Sequence, residues 1–506
     1  IAATILLCKV HALLGGVFLL SLALLHTANM EMVLALQTVI RFEVASYGVE
    51  ETFLKGSALK PTFFWYGLSL IGSSAFLAAL WGNTPTEGIV PPMLLFLLAL
   101  SLTAAVTPFP VYGRSWSRGS LVWRSVTASL FDRTVPDPPE ELPEPGPAGT
   151  PRESSPEPRQ NVLLIVLEGM PGVYLSPVQQ ATGVGYPVSM GRLSDIARSS
   201  LIFPNAIAPN QQTVRGLYAI LTGDYPHLDM STPKAYSYIR ENPEERPRAL
   251  PEVLSKAGYR TVFLQGAYLG YMSKGRIMEA MGFEEILGRS YFDRSYASSG
   301  WGPDDRAFFE GAVGLLREPH RGGEPWFLTL LNVGTHHPYV LPEGFASDFD
   351  TQKLAAVEYL DQALGEFYEA LLREGLLENT LLVFVSDESH GVSGQPFGQY
   401  WPVLVFQGPG IEPGLRERRA SQVDVSWTIL SHLRIAEDSG MFHRNDLLGG
   451  DSSRREEEFF FGPFSSPEPG LILERFRSGQ VREYRSDAVL YAPEYREVVR
   501  RQLTAR

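Results

Sequence analysis

Hydrophobic positions are spread along this chain in two ways. In the first 113 residues they gather into long runs, and stretches 10–30, 61–86 and 88–113 contain no Asp, Glu, Lys or Arg. About 20 apolar residues at ~1.5 Å rise cross a ~30 Å hydrocarbon core. The pattern therefore predicts transmembrane helices at about 8–28, 62–82 and 90–110. Any one run also reads as a buried core helix, but three within 113 residues, with hardly any after, favour the membrane. The chain opens on Ile in an apolar run, so further helices are expected to precede it.

From residue 160 the runs become short and alternate with helical patterns. Segment 161–167 (NVLLIVL) is a continuous apolar run of the kind a strand buried on both faces requires. Segments 260–264, 326–331, 380–385 and 403–406 are similar. Between the last two pairs lies 351–375, whose apolar positions Leu354, Val357, Leu360, Leu364, Phe367 and Leu371 mark one helix face. Strands alternating with helices predict an α/β fold, a sheet flanked by helices.

Segment 136–158 (PDPPEELPEPGPAGTPRESSPEP) holds nine prolines and six acids. Proline removes backbone donors and like charges repel, so an extended tether is expected. The chain thus divides into a membrane region (1–113), a juxtamembrane segment and Pro-rich acidic linker (114–159), and a folded domain (160–506). The tail 451–506 is charged and carries no assignable motif. Arg114, Arg118 and Arg124 follow the third apolar run, and by charge alone they would place the folded domain on the cytoplasmic side.

Charge and cysteine content narrow the chemistry. The net charge is −13, from 43 basic and 56 acidic residues, which disfavours nucleic acid as a partner. Cys8 is the one cysteine, so an internal disulfide and a Cys-rich zinc site are excluded. In open α/β sheets ligands bind beyond the carboxyl ends of the strands. Two predicted strand ends carry acids there: Glu168 closes the first, and Asp387 and Glu388, followed by His390, close another. Carboxylates and imidazole are ligands for a hard or borderline cation. Thr213 stands where a loop turns into a helix, and it reads either as an N-cap or as a nucleophile at a helix N-terminus. His336 and His337 follow the strand at 326–331, in a position suited to anions, metals or a structural role.

In order, NVLLIVLEG, PNQQTVRGLYAILTG, FLQGAYLGYM, MGFEEI, GWGPDDRAFF, NVGTHHPY, VSDESHG and SQVDVSWTIL span nearly all of 160–450. This series resembles the lipoteichoic acid synthase and phosphoglycerol transferase branch of the sulfatase/alkaline-phosphatase superfamily. The resemblance implies an α/β/α sandwich behind membrane helices, with the catalytic domain extracytoplasmic on a multi-pass protein of the inner or plasma membrane, against the charge argument. It implies Thr213 as nucleophile and metal ligand, with Arg215 beside it in a Thr-x-Arg-Gly setting. Glu168 and Asp387 would be metal ligands, His336 would contact the substrate phosphate, and Trp301 would stand near the glycerol head group. Two departures stand out. Pro303 and Asp304 occupy the place where an Arg is expected behind Trp301, with Arg306 three residues late. The adjacent Asp-His ligand pair is replaced by Asp387-Glu388-Ser389-His390, leaving Glu388 and His390 as alternative ligands. One divalent ion is implied, Mn2+ first, with Mg2+ or Zn2+ as alternatives. The implied donor is phosphatidylglycerol and the implied acceptor a cell-envelope glycan or polymer. The competing readings are a phosphoethanolamine transferase, a phosphodiesterase or hydrolase of the same superfamily, and a decayed membrane-anchored binding protein.

Overall fold

The computed structural model describes residues 159–209, 212–224, 248–297, 299–390, 401–418, 420–435 and 446–449, and three strands between 457 and 484. The apolar runs at 10–30, 61–86 and 88–113 and the linker at 136–158 lie outside the described residues. Among the described residues no helix is long and apolar enough to cross a membrane.

Strands β1 (Asn161–Leu167), β2 (Leu201–Ile202), β4 (Arg260–Gln265), β5 (Glu285–Leu287), β6 (Trp326–Leu331), β7 (Thr380–Ser386), β8 (Leu404–Gln407) and β9 (Gly414–Leu415) form an eight-stranded sheet. Its order is β5-β4-β6-β1-β7-β8-β2-β9. A two-stranded sheet joins β3 (Ala206–Ile207) to β10 (Ala420–Ser421), and a three-stranded antiparallel sheet joins β11 (Glu457–Phe461), β12 (Ile472–Phe476) and β13 (Val481–Tyr484). The strands from β5 to β7 are mutually parallel, whereas β8 runs antiparallel to both β7 and β2. The sheet is therefore mixed. Strands β1, β6, β7 and β8 are covered on both faces, so a continuous run of this kind carries no directional signal.

Alternation along β1 feeds two cores. Val162, Leu164 and Val166 enter one, Leu163, Ile165 and Leu167 the other, and all six are at most 1% exposed. Helices α3 (Thr213–Thr222), α4 (Leu250–Lys256), α5 (Lys274–Ala280) and α8 (Val425–His432) pack on the first face. Helices α1 (Ser176–Thr182), α2 (Gly191–Arg198), α6 (Asp305–Gly322) and α7 (Gln352–Arg373) pack on the second. The expected helix at 351–375 is α7, which Thr351 caps through its side chain, accepting from Leu354 N at 3.3 Å. The result is an α/β/α sandwich.

Candidate active site at the carboxyl ends of the central strands

Register brings the acids together. Parallel pairing sets Leu167 of β1 beside Ser386 of β7, so the next residues, Glu168 and Asp387, leave the sheet side by side. Glu168 is 3% exposed and Asp387 is fully buried. Helix α3 then presents Thr213 at its first position, with the Thr213 hydroxyl donating to Glu168 Oε2 at 3.4 Å. Helix α3 lies tight against the end of β7, since a Cβ on Gly216 would stand 1.9 Å from the Asp387 carbonyl oxygen. Before the helix, Gln212 adopts φ 132°, a region disfavoured for a side chain with a Cβ, and its backbone N–H bonds the Glu388 carboxylate.

Three carboxylates thus crowd together, Glu168 and Asp387 buried and Glu388 part-buried. Burial, and then the charge of Glu388, pushes Glu168 up to about 7. Burial, and then Asp387, pushes Glu388 up to about 8. Asp387 is held well above the usual carboxylate range by burial and by Glu168. One Asp387 oxygen is satisfied, Oδ1 accepting from Gly169 N at 2.9 Å and Glu388 N at 2.8 Å, whereas Oδ2 is buried without a hydrogen-bond partner. His390 joins them, its backbone N–H bonding Gly169 O at 2.9 Å, with burial holding the imidazole well below its ordinary value and therefore neutral. Its Nδ1 is likewise buried and unpartnered.

These residues fit a divalent cation. One ligand atom each from Glu168, Glu388 and His390 all lie within 4.8 Å of one another, and Asp387, whose Oδ2 is unpartnered, feels the charge of Glu168 beside them. A bound cation would relieve the repulsion that raises all three acids. Both alternatives for the position after Asp387, Glu388 and His390, stand in the cluster.

The remaining expected site residues divide. Trp301 and His336 lie against each other with ring centroids 4.3 Å apart and ring planes tilted by 56°, and Trp301 Nε1 donates to His337 O at 2.8 Å. His336 Nδ1 lies 2.8 Å from His337 O. A carbonyl only accepts, so Nδ1 carries the proton and Nε2 keeps its lone pair. Burial lowers His336 to about 4, consistent with that neutral form. Arg215 is fully buried two residues past Thr213. Arg306 is not brought into the group: it is half-exposed, ion-paired to Glu366 at 3.0 Å and Glu310 at 3.6 Å, and lies over the Tyr296 ring.

Sequence reasoning missed two lysines. Lys274, at the start of α5, is buried and pulled below its ordinary value by burial, against the attraction of Glu168, Asp387 and Glu388. Lys353, in the first turn of α7, is likewise lowered by burial and faces Glu388. A signal existed. The chain has only seven lysines among its 43 basic residues, so a Lys in such an Arg-rich chain invites a reason.

Comparison with known proteins extends this geometry. The sulfatase family profile matches residues 160–435. Phosphoglycerol transferase I of Xanthomonas campestris pv. campestris is 26% identical over 324 residues, covering 58% of this chain and 43% of the relative. Lipoteichoic acid synthase 1 of Bacillus subtilis is 23% identical over 245 residues, covering 43% of this chain and 38% of the relative. The chain thus spans less than half the length of these curated relatives. Among solved structures, a Vibrio parahaemolyticus protein of the alkaline phosphatase superfamily superposes with a TM-score of 0.56 at 19% identity, covering 69% of this chain and 86% of that one. A lipoteichoic acid synthase of Listeria monocytogenes gives 0.55 at 18% identity, covering 68% and 90%. At these identities the two structures speak for the fold alone.

Proposed function

The chain belongs to the sulfatase family, and on that premise we propose that it is a membrane-anchored, metal-dependent transferase. It moves a phosphoglycerol head group from phosphatidylglycerol to a cell-envelope glycan or polymer through a phospho-Thr213 intermediate. One observation carries this reading: the Thr213 hydroxyl lies 3.4 Å from Glu168 Oε2 at the edge of a buried acidic cluster. The transferred group is inferred from relatives that bear the names phosphoglycerol transferase I and lipoteichoic acid synthase.

In the first half-reaction Thr213 Oγ attacks phosphorus. The Oγ–P bond forms, the P–O bond to diacylglycerol breaks, and the diacylglycerol oxygen takes up a proton. The Thr213 proton leaves along its hydrogen bond to Glu168 Oε2. In the second half-reaction an acceptor hydroxyl attacks the same phosphorus and Thr213 is regenerated. His336, neutral with Nε2 free to accept, and the Trp301 face beside it line the region assigned to the head group. Lys274 supplies positive charge next to the same acids. Glu168, Asp387, Glu388, His390 and Thr213 would hold one divalent cation, Mn2+ by the hardness of an acid-rich donor set, with Mg2+ and Zn2+ the alternatives. When bound, it lowers the pKa of the hydroxyl and polarises a phosphoryl oxygen.

The wider architecture belongs to the proposal: transmembrane helices within 1–113, a juxtamembrane segment and linker at 114–159, and a catalytic domain at 160–506 outside the cytoplasm, at the inner or plasma membrane. Such a tether keeps the site near a lipid donor. The test is intact-protein mass spectrometry of the full chain with phosphatidylglycerol vesicles and Mn2+. A gain of one phosphoglycerol unit on Thr213, lost with chelator, is expected. Absence of both the adduct and diacylglycerol release would overturn the reading, and an adduct formed only from phosphatidylethanolamine would reassign the head group.

A further inference from the structure

Glu168 is gripped from both sides by one segment of chain. Its backbone N–H donates to Asn332 Oδ1 at 2.9 Å, and its backbone carbonyl accepts from Thr335 Oγ1 at 2.7 Å. Both partners lie in 332–336, the segment leaving β6, which also carries His336. That segment is fastened in turn by one oxygen from α6. Asp305 Oδ1 accepts from Asn332 Nδ2 at 3.0 Å and from Gly334 N at 3.2 Å. The Asn332 amide is therefore used at both ends, its oxygen on a backbone donor and its nitrogen on a carboxylate, which fixes its orientation. Asp305, Asn332 and Thr335 are each 1% exposed. Gly334 lies so close that a Cβ there would meet Asp305 Oδ2 at 2.2 Å.

Helix capping does not explain Asp305. Its neighbour Asp304 performs that task, accepting from Ala307 N at 3.2 Å, and also ties down the segment before Trp301 through Tyr296 N at 2.6 Å and Ala297 N at 2.9 Å. Nor does stability alone call for a carboxylate here. Burial pushes Asp305 up to about 7 despite its bonds to Asn332 and Gly334, so at neutral pH it is a costly side chain to keep in a core.

We propose that Asp305 is a positioning residue for the acidic centre, setting through Asn332 and the 332–336 segment the place and direction in which Glu168 leaves β1. The two aspartates divide the labour: Asp304 holds the segment of Trp301, and Asp305 holds the segment of His336 and, through it, Glu168. The consequence for cation binding rests on the metal-centred site proposed above; the grip on the Glu168 backbone does not.

Two readouts on the full chain separate these parts. Calorimetric titration with Mn2+ reads the site, and hydrogen exchange at amides 167–170 reads the grip. Asp305→Ala is expected to weaken Mn2+ binding by about 10- to 100-fold, the usual loss when a partner orienting a metal ligand is removed. It is also expected to speed exchange at the Glu168 amide. Asp305→Asn keeps an acceptor oxygen for Asn332 and Gly334 and is expected to restore both. An Asp305→Ala chain that melts earlier but keeps wild-type Mn2+ affinity and wild-type exchange at Glu168 overturns the proposal. Should that variant fail to fold, Asn332→Ala severs the same link while leaving Asp305 its bond from Gly334, and the same outcomes apply. A wild-type chain that binds no Mn2+, with exchange still faster in Asp305→Ala, overturns the metal reading and upholds the relay.

Discussion

A threonine at the start of a helix ordinarily turns its hydroxyl back onto the helix's own N–H groups. Thr213 does not: Gln212 is the N-cap of α3, no side-chain cap bond is made, and the Thr213 hydroxyl points to Glu168 instead. Thr213→Ala should therefore abolish the phosphoglycerol adduct with little loss of stability, because no cap is removed; mass spectrometry and a melting curve read the two effects. A variant that still forms adduct on the protein would move the nucleophile elsewhere. Glu388 sets up the opposite balance. It is raised to about 8 by burial and Asp387, so its charge opposes folding in a metal-free chain near and above that pH. Glu388→Gln should raise the melting temperature of the chelated protein at pH 9 while weakening Mn2+ binding by about tenfold or more. Undiminished Mn2+ affinity in this variant would leave His390 as the ligand that replaces the family histidine.

At the scale of elements, the tightest constraint is the approach of α3 to the end of β7. Alanine is favoured over glycine within a helix by about 1 kcal/mol. At position 216, however, the added Cβ would stand 1.9 Å from a backbone carbonyl oxygen, which no side-chain rotation relieves. Overpacking of this kind costs about 1–3 kcal/mol, so the clash outweighs the propensity. Gly216→Ala should lower the melting temperature and, by shifting Thr213 relative to Asp387, slow adduct formation by about 100-fold. An unchanged or raised melting temperature would mean that α3 stands off further than described. The same region shows what was readable beforehand. Strand β1 was legible because an unbroken apolar run needs two covered faces, and Glu168 and Asp387 stood out as acids at strand ends, whereas Thr213 read also as a helix cap until the resemblance singled it out. Strand β8 was found near its place but not its direction, since burial on both faces looks alike in either sense. The two-residue strands β2 and β9 were invisible, being too short to show a period. Lys274, Lys353, Asn332 and Asp305 come from four separate elements or their exits. They meet Glu168, Glu388 or their supports only once the sheet is assembled, and no local pattern announces that. Arg306, two residues past Asp304, looked like the displaced head-group arginine, but helical geometry turns it out towards Glu310 and Glu366.

For the whole molecule the acidic cluster is a charge problem that pH and metal solve in different ways. The chain carries a net charge of −13, and two buried acids, Glu168 and Asp387, leave the carboxyl ends of neighbouring central strands side by side. Glu168 and Glu388 have ordinary values of 4.5 and folded values of about 7 and about 8. A carboxyl raised on folding binds its proton more tightly in the folded state. Its contribution to stability is full below 4.5 and is lost as pH rises through about 7 and about 8. His336 works in the other direction, lowered from 6.5 to about 4, so its contribution is present above 6.5 and fades as pH falls towards 4. Above 6.5 the unfolded histidine sheds its remaining proton while the folded one is already neutral, so towards pH 8 the carboxyls decide the slope. The chelated chain should therefore melt at progressively lower temperature across that window. A cation that competes with those protons binds better as they leave, and it stabilises the folded state by mass action. The rise in melting temperature on adding Mn2+ should accordingly be larger at pH 8 than at pH 6.5. Paired melting curves with chelator and with Mn2+, at several pH values, measure both slopes. If the chelated curve is flat across the window, the three acids share their charge with a partner other than a metal, and Lys274, already buried among them, is the group to substitute next.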